Sequence, residues 1–272
     1  MEINAIILLY QLSITLGADM RIISLIENTS GRKGIVSEHG LSLYIEAVGK
    51  RILFDFGQSD SFADNADRLT ADLSAVDLAI LSHGHYDHGG GLRKFLEINK
   101  KAAVYISKKA FLPYYNGEKY IGLDPSLSDS DRLIFIESEQ KICEGLTLIS
   151  LDSPPENSAG LTVMTERGRL PDRFDHEQYL LIEENGRRVL ISGCSHKGIL
   201  SIIKKFQPDI FVGGFHFMAM PLDEELSGRA KELELSGCKF YTCHCTGKEQ
   251  FDFIKTYINR LEYLSAGDRI EI

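Results

Sequence analysis

This 272-residue chain has no apolar run long enough to cross a bilayer, which excludes a spanning helix. Its most apolar early stretch, Ala5-Ile6-Ile7-Leu8-Leu9-Tyr10, is short and has no Lys or Arg before it, unlike a secretory leader. A long basic run is also missing. With 30 basic residues against 39 acidic ones the net charge is −9, which argues against a general nucleic-acid binder. A disulfide framework is absent too: the five cysteines are odd in number and crowd toward the C-terminal half, which predicts a reducing, cytoplasmic setting. Cys243-His244-Cys245 has no second C-x-C pair nearby, so it is weak evidence for a structural zinc. No linker-like shift of composition divides the chain. Residues 20–272 therefore read as one domain, opened by the strand pattern Arg21–Ile26 after Met20, with 1–19 as an N-terminal extension. The remaining composition, 43% hydrophobic and 25% charged, is that of an ordinary soluble globular protein.

The chain does have His83-Gly84-His85-Tyr86-Asp87-His88, three imidazoles and a carboxylate in six positions. These are the ligand types that borderline divalent cations prefer. The apolar Asp77–Leu81 segment before it reads as a buried strand, and Gly89-Gly90-Gly91 follows. Strand alternation would point His83 and His85 one way, and a turn would bring Asp87 and His88 to a second point. One loop can then feed two neighbouring metal ions.

Strand patterns fall at 21–26, 41–47, 51–55, 76–81, 103–106, 133–136 and 146–151. A helix is expected over 92–99. Later, Glu184-Asn185-Gly186-Arg187 predicts a hairpin between strands at 179–183 and 188–192. Helices at 198–206, 223–235 and 247–258 then alternate with strands at 209–213, 239–243 and 268–271. Such alternation predicts an α/β fold with sheets covered by helices. Stretches 110–131 and 152–175 read as loops, either lids that contact substrate or surface padding. Four further histidines fall at strand starts or ends: His176, His196, His216 and His244. Strand ends are where open α/β layers gather functional groups.

The H-x-H-x-D-H loop after a buried strand, preceded by Leu53-Phe54-Asp55-Phe56-Gly57, resembles the metallo-β-lactamase superfamily. Gly193–Ile199, Gly213-Gly214-Phe215-His216 and His244-Cys245-Thr246-Gly247 are similar to one branch, labelled dihydropterin/ribofuranosylaminobenzene 5′-phosphate synthase-like. The resemblance covers nearly all of the chain from Met20. It implies a four-layer αββα sandwich with two divalent metal ions, zinc first and iron or manganese as alternatives, at one edge between the sheets.

By match to the superfamily, His83 and His85 would bind the first metal, and Asp87, His88 and His244 the second. The third ligand of the first metal stays open. His176, 18 residues ahead of Cys194, fits the superfamily spacing, whereas His196 lies on the branch motif. Where most members carry a metal-bridging Asp this chain has Cys194, either a thiolate ligand or a small buried residue. Asp87 and His196 are the candidate catalytic residues. Asp55 is expected to orient the metal loop by hydrogen bonds, and His216 to form a wall of the site. Lys197 either holds an anionic group or is solvated. His39 joins these as a supporting residue whose structural reading comes first.

Two cations about 3.5–4 Å apart would share a water and lower its pKa, so the implied activity is hydrolysis of an ester, lactone or phosphoester small molecule. A phosphate- or pyrophosphate-releasing synthase of pterin biosynthesis is the alternative. Iron-dependent redox chemistry and non-catalytic metal binding are the remaining ones. The partner expected is a small molecule, phosphorylated or not, with no nucleic acid and no membrane; nothing reports oligomeric state.

Overall fold

The computed structural model describes residues 20–156 and 160–272. The proposed extension over 1–19 lies outside them. Two seven-stranded mixed sheets stack face to face. The first runs, edge to edge, through Arg269–Glu271, Arg21–Ile26, Ser42–Ala47, Lys50–Phe54, Leu78–Ile80, Ala103–Ser107 and Leu133–Ile136. The second runs through Leu261–Tyr263, Lys239–Thr242, Ile210–Gly213, Arg187–Ile191, Tyr179–Glu184, Leu146–Ile149 and Gln140–Cys143.

Alternation within strands sorts the apolar residues into three layers. Ile22, Ile45, Phe54 and Ile80 of the first sheet meet Leu148, Ile182, Ile191 and Val212 of the second between the sheets. The next residues along, such as Ile23, Leu53 and Ala79, face outward onto the helices Ser61–Leu69 and Leu92–Ile98 through Phe62, Leu69 and Phe95. On the opposite outer face Leu190, Phe211 and Phe240 pack under Ile199–Phe206, Glu224–Leu235 and Lys248–Ile254. The order helix, sheet, sheet, helix is the αββα sandwich anticipated from the sequence. Among the described residues no helix is long and apolar enough to cross a membrane.

The strand directions place the site. Lys50–Phe54 and Leu78–Ile80 are parallel, so their C-terminal ends deliver Asp55 and the 83–88 loop to one edge. Arg187–Ile191, Ile210–Gly213 and Lys239–Thr242 are parallel in the second sheet and release Cys194 and His196, His216 and His244 at the same kind of edge. Tyr179–Glu184 is antiparallel to Arg187–Ile191, so His176 at its start shares that edge. Gln178 ties the two sheets together there. Its backbone N–H donates to the Ser82 carbonyl (2.8 Å) and its Nε2 to the Leu81 carbonyl (2.8 Å).

Some expectations are corrected. The stretches 110–131 and 152–175 are not plain loops: Tyr114–Asn116, Lys119–Tyr120, Leu161–Thr165 and Gly168–Pro171 pair into a small four-stranded antiparallel sheet. These strands are short, partly exposed and weakly alternating, so no hydrophobic period marks them. The helix Ser61–Leu69 was also missed, because its apolar stripe is only Phe62, Ala63, Ala66 and Leu69 in a polar segment. The metal loop is not an extended continuation of its strand. The strand ends at Ile80, and Tyr86–Gly89 form a helical turn that swings Asp87 and His88 away from His83 and His85.

Candidate metal centre

Close packing of the backbone shapes the loop. A Cβ at Gly84 would stand 2.1 Å from the Ala110 carbonyl oxygen, and one at Gly193 would stand 2.3 Å from Ser82 Oγ. Only glycine fits at either place. Asp55, Ser195, His216 and His244 all hold left-handed backbone conformations, with φ of 60°, 60°, 58° and 50°. Strain of this kind persists only where the surroundings over-determine it.

Hydrogen bonds then set which ring nitrogen of each histidine faces the cluster. Asp55, fully buried, accepts from the Ser82 backbone N–H through Oδ1 (2.7 Å). Its Oδ2 accepts from Ser82 Oγ (2.8 Å) and lies 2.6 Å from His88 Nδ1. With its proton given to Asp55, the Ser82 hydroxyl accepts from His83 Nδ1 at 2.9 Å. His244 Nδ1 lies 2.8 Å from Asn28 Oδ1. In His83, His88 and His244 the proton is thereby held on Nδ1, and the Nε2 lone pair is left for the cavity.

His176 is arranged the other way. Its Nδ1 accepts from the Gly84 backbone N–H (2.8 Å), so its proton sits on Nε2, which donates to Asp172 (3.2 Å). The ring is sandwiched by Tyr114 and Phe174, with the Tyr114 centroid 4.0 Å away. Both nitrogens are spent. His196 is the opposite case: stacked on Phe174 at 3.8 Å, it is buried with neither ring nitrogen hydrogen-bonded. His83 Nε2 and His85 Nε2 are likewise buried without a hydrogen bond, although His85 Nε2 lies 3.9 Å from Asp172 Oδ2. Ligating atoms of His83, His85 and His196 all lie within 4.8 Å of one another.

Beside this trio lies a second group. Asp87 Oδ2 is 3.4 Å from His244 Nε2, 3.8 Å from His88 Nε2 and 3.3 Å from His39 Nε2. Cys194 Sγ lies 3.2 Å from His88 Nε2. For metal–ligand bonds of 2.0–2.1 Å the edge of a coordination tetrahedron is about 3.3–3.4 Å, so these separations suit ligands around one small cation. Buried ring nitrogens without a hydrogen bond, as in the first trio, would be costly in a protein that held no cation there.

The electrostatics agree. Burial, reinforced by neighbouring imidazoles, pushes His83 and His196 well below the ordinary histidine range and keeps them neutral. Burial lowers His244 and His216 to about 4. In Asp87, burial opposes ionisation, but His88, His244 and His39 outweigh it and hold the carboxyl low. Burial also opposes charge on His88, while Asp55 and Asp87 raise it.

The centre opens into a cavity of ≈ 270 Å³, lined by His216, Met218 and Ala219, by Asn116, Lys119 and Leu161 of the small sheet, and by Ile121 next to it. His39 is half exposed at its rim, with its ring centroid 4.9 Å from that of His244. Lys197 is corrected on both counts. It is buried, and its ammonium donates to the carbonyls of Ser153 and Arg173 (2.7 Å each) and lies 3.6 Å from Asp175. It is neither solvated nor available to a substrate anion.

Five supporting residues escaped the sequence reading, Ser82 described above among them. Asp172 orients His176. Buried Glu177 accepts the His196 and Lys197 backbone N–H groups (2.7 and 3.0 Å) and the Tyr179 hydroxyl (2.6 Å). Buried Glu27 accepts the His244 N–H (2.7 Å), and Asn28 holds the His244 ring. Glu177 sits one residue after His176, but nothing in the sequence pairs Glu27 with a residue 217 positions away.

A family comparison matches residues 38–226 to the metallo-beta-lactamase superfamily. The chain is 32% identical to the Methanocaldococcus jannaschii protein named "Uncharacterized protein MJ0448", over 82% of this chain and 89% of that one. It is 28% identical to 7,8-dihydropterin-6-methyl-4-(beta-D-ribofuranosyl)-aminobenzene-5′-phosphate synthase of the same organism, over 93% and 97% of the two chains. Among solved structures it is similar to Tm1679, described as a metal-dependent hydrolase of the beta-lactamase superfamily, with a TM-score of 0.80 and 32% identity over 93% of this chain and 99% of that one. The chain belongs to the metallo-beta-lactamase superfamily.

Proposed function

We propose that the chain is a metal-dependent hydrolase of a small ester, lactone or phosphoester. In this reading His83, His85 and His196 hold one divalent cation, and Asp87, His88, His244 and Cys194 hold a second. The observation that carries it is the convergence of buried ring nitrogens without hydrogen bonds, His83 Nε2, His85 Nε2 and both of His196, next to an Asp87 held ionised. Mixed nitrogen, oxygen and sulfur donors suit zinc best, with manganese or iron as alternatives. Bound there, such cations supply Lewis acidity and a water made nucleophilic near neutral pH.

The chain's own residues do the rest. Asp55, Ser82 and Asn28 keep the protons on the Nδ1 atoms and so hold the Nε2 lone pairs in place. Asp87 stays ionised and places a negative charge between His39, His88 and His244. His216, neutral at physiological pH, faces His196 at 4.2 Å between ring centroids and forms part of the cavity wall. The small sheet limits solvent entry over the cavity, and Lys119 is the cation on that wall suited to an anionic substituent. The size of the cavity suits a small molecule.

A second reading is supported by the relative named as a synthase of a phosphate ester: release of phosphate or pyrophosphate from a pterin-linked substrate at the same centre. Elemental analysis of protein purified without chelator tests the centre, with phosphoesters, lactones and pterin pyrophosphates then screened. Close to two zinc ions per chain, falling sharply in His196→Ala, is expected. Unchanged metal content in that variant would refute the ligand assignment.

A further inference from the structure

The branch motif His244-Cys245-Thr246-Gly247 leaves one group unused by the proposed chemistry, the Cys245 thiol. Five cysteines are present, and none is disulfide-bonded. Cys243 faces the layer between the sheets and Cys238 the outer core, where each packs as a small apolar side chain. Cys143 is half-buried on an edge strand, away from the cavity. Cys194 and Cys245 differ from these three: both are buried, and both line the cavity together with His244.

Ligating atoms of Cys194, His244 and Cys245 lie within 4.8 Å of one another, and so do those of His83, His88 and Cys194. Cys194 thus belongs to two clusters, one with His83 and His88 and one with His244 and Cys245. The backbone is built to admit the second sulfur. His244 is left-handed, which breaks strand alternation after Cys243 and turns the next side chain back toward the cavity. Opposite it, a Cβ at Gly214 would stand 2.3 Å from Cys245 Sγ, so glycine is what leaves the thiol its space.

We propose that Cys245 joins Cys194 as a second sulfur donor, making the Asp87/His88/His244 half of the centre a two-thiol site for a thiophilic cation such as zinc, cobalt or cadmium. This rests on the metal-centre reading above and adds a donor to it. The two halves then differ in kind. The first offers imidazole only, whereas the second offers sulfur, for which manganese and magnesium compete poorly.

Cobalt(II) titration of the metal-depleted full-length protein tests this, because sulfur-to-cobalt charge transfer absorbs in the near ultraviolet and imidazole or carboxylate ligation does not. The expected result is a strong band in the wild type, reduced to about half in Cys245→Ala and in Cys194→Ala, and lost in the double variant. An undiminished band in a folded Cys245→Ala would overturn the proposal. Cobalt bound with no sulfur band would also overturn it and would remove Cys194 from the proposed ligands, while leaving the imidazole and carboxylate ligands of the hydrolase reading in place. No cobalt binding by the wild type would overturn both. Should Cys245→Ala fail to fold, X-ray absorption of the zinc-loaded wild type decides: two sulfurs per two zinc ions support the proposal, and one or none refutes it.

Discussion

Asp55→Asn separates the orienting role of this carboxylate from its part in the fold. Asparagine tolerates the left-handed backbone at this position better than alanine would, and its Oδ1 can still accept the Ser82 backbone N–H. The other oxygen becomes an NH₂ facing Ser82 Oγ and His88 Nδ1, which now stand 2.8 and 2.6 Å from it. Two donors cannot share that contact, so His88 must move its proton to Nε2, the atom that faces Asp87 and Cys194. The lone pair needed there is lost. Altering a group that orients a ligand in this way costs about 10–100-fold in metal affinity. The lost charge-assisted bond costs about 1–3 kcal/mol of fold stability, a fall in Tm of roughly 2–5 °C for a protein of this size. Zinc affinity by competition with a chromophoric chelator, beside thermal unfolding of the metal-free protein, reads both. Wild-type zinc affinity together with the expected loss of stability would show that Asp55 serves only the fold.

Two further outcomes follow from the same geometry. Replacing His176 by Ala should retain the metal but destabilise the fold by about 3–5 kcal/mol, since it strands the Gly84 N–H and the Asp172 carboxylate in a stacked, buried position; loss of a metal ion with unchanged Tm would restore His176 as a ligand. In the metal-free protein His216 and His244 have folded pKa values near 4 against about 6.5 when unfolded. The unfolded state therefore binds more protons below pH 6.5, and stability should fall as pH drops from about 6.5 toward 4. Denaturant midpoints measured across that range check it, and a flat profile would contradict the burial of these rings.

Several of the residues that cluster in the candidate centre were legible because they are local in sequence. His83 to His88 sit on one loop, and spacing alone announces their chemistry. The choice between His176 and His196 was not legible, because what separates them comes from elsewhere in the chain. A backbone N–H at Gly84 and a carboxylate at Asp172 consume the two nitrogens of His176, and neither bond leaves a mark in the spacing. Lys197 misled for a related reason. A lysine beside a candidate ligand reads as exposed, yet two carbonyls and Asp175 draw it inside. The small sheet over the cavity went unseen because its strands carry too few apolar residues to show a period. The central strands of the main sheets and most of their helices were visible, whereas the edge strands Gln140–Cys143 and Leu261–Tyr263 and the helix Ser61–Leu69 were not.

The apolar layer between the sheets has a consequence for how such a centre can be tuned. Asp55 and the 83–88 loop hang from one sheet, and Cys194, His196 and His244 hang from the other. Phe54, Ile80, Ile191 and Val212 fill the gap just behind them. These side chains act as a spacer of fixed thickness. Because interiors are packed as tightly as crystals, a methylene added or removed there shifts one sheet against the other by fractions of an ångström. Tetrahedral coordination is sensitive to displacements of that size, so residues that never touch a cation set the bite of the two jaws that would grip it.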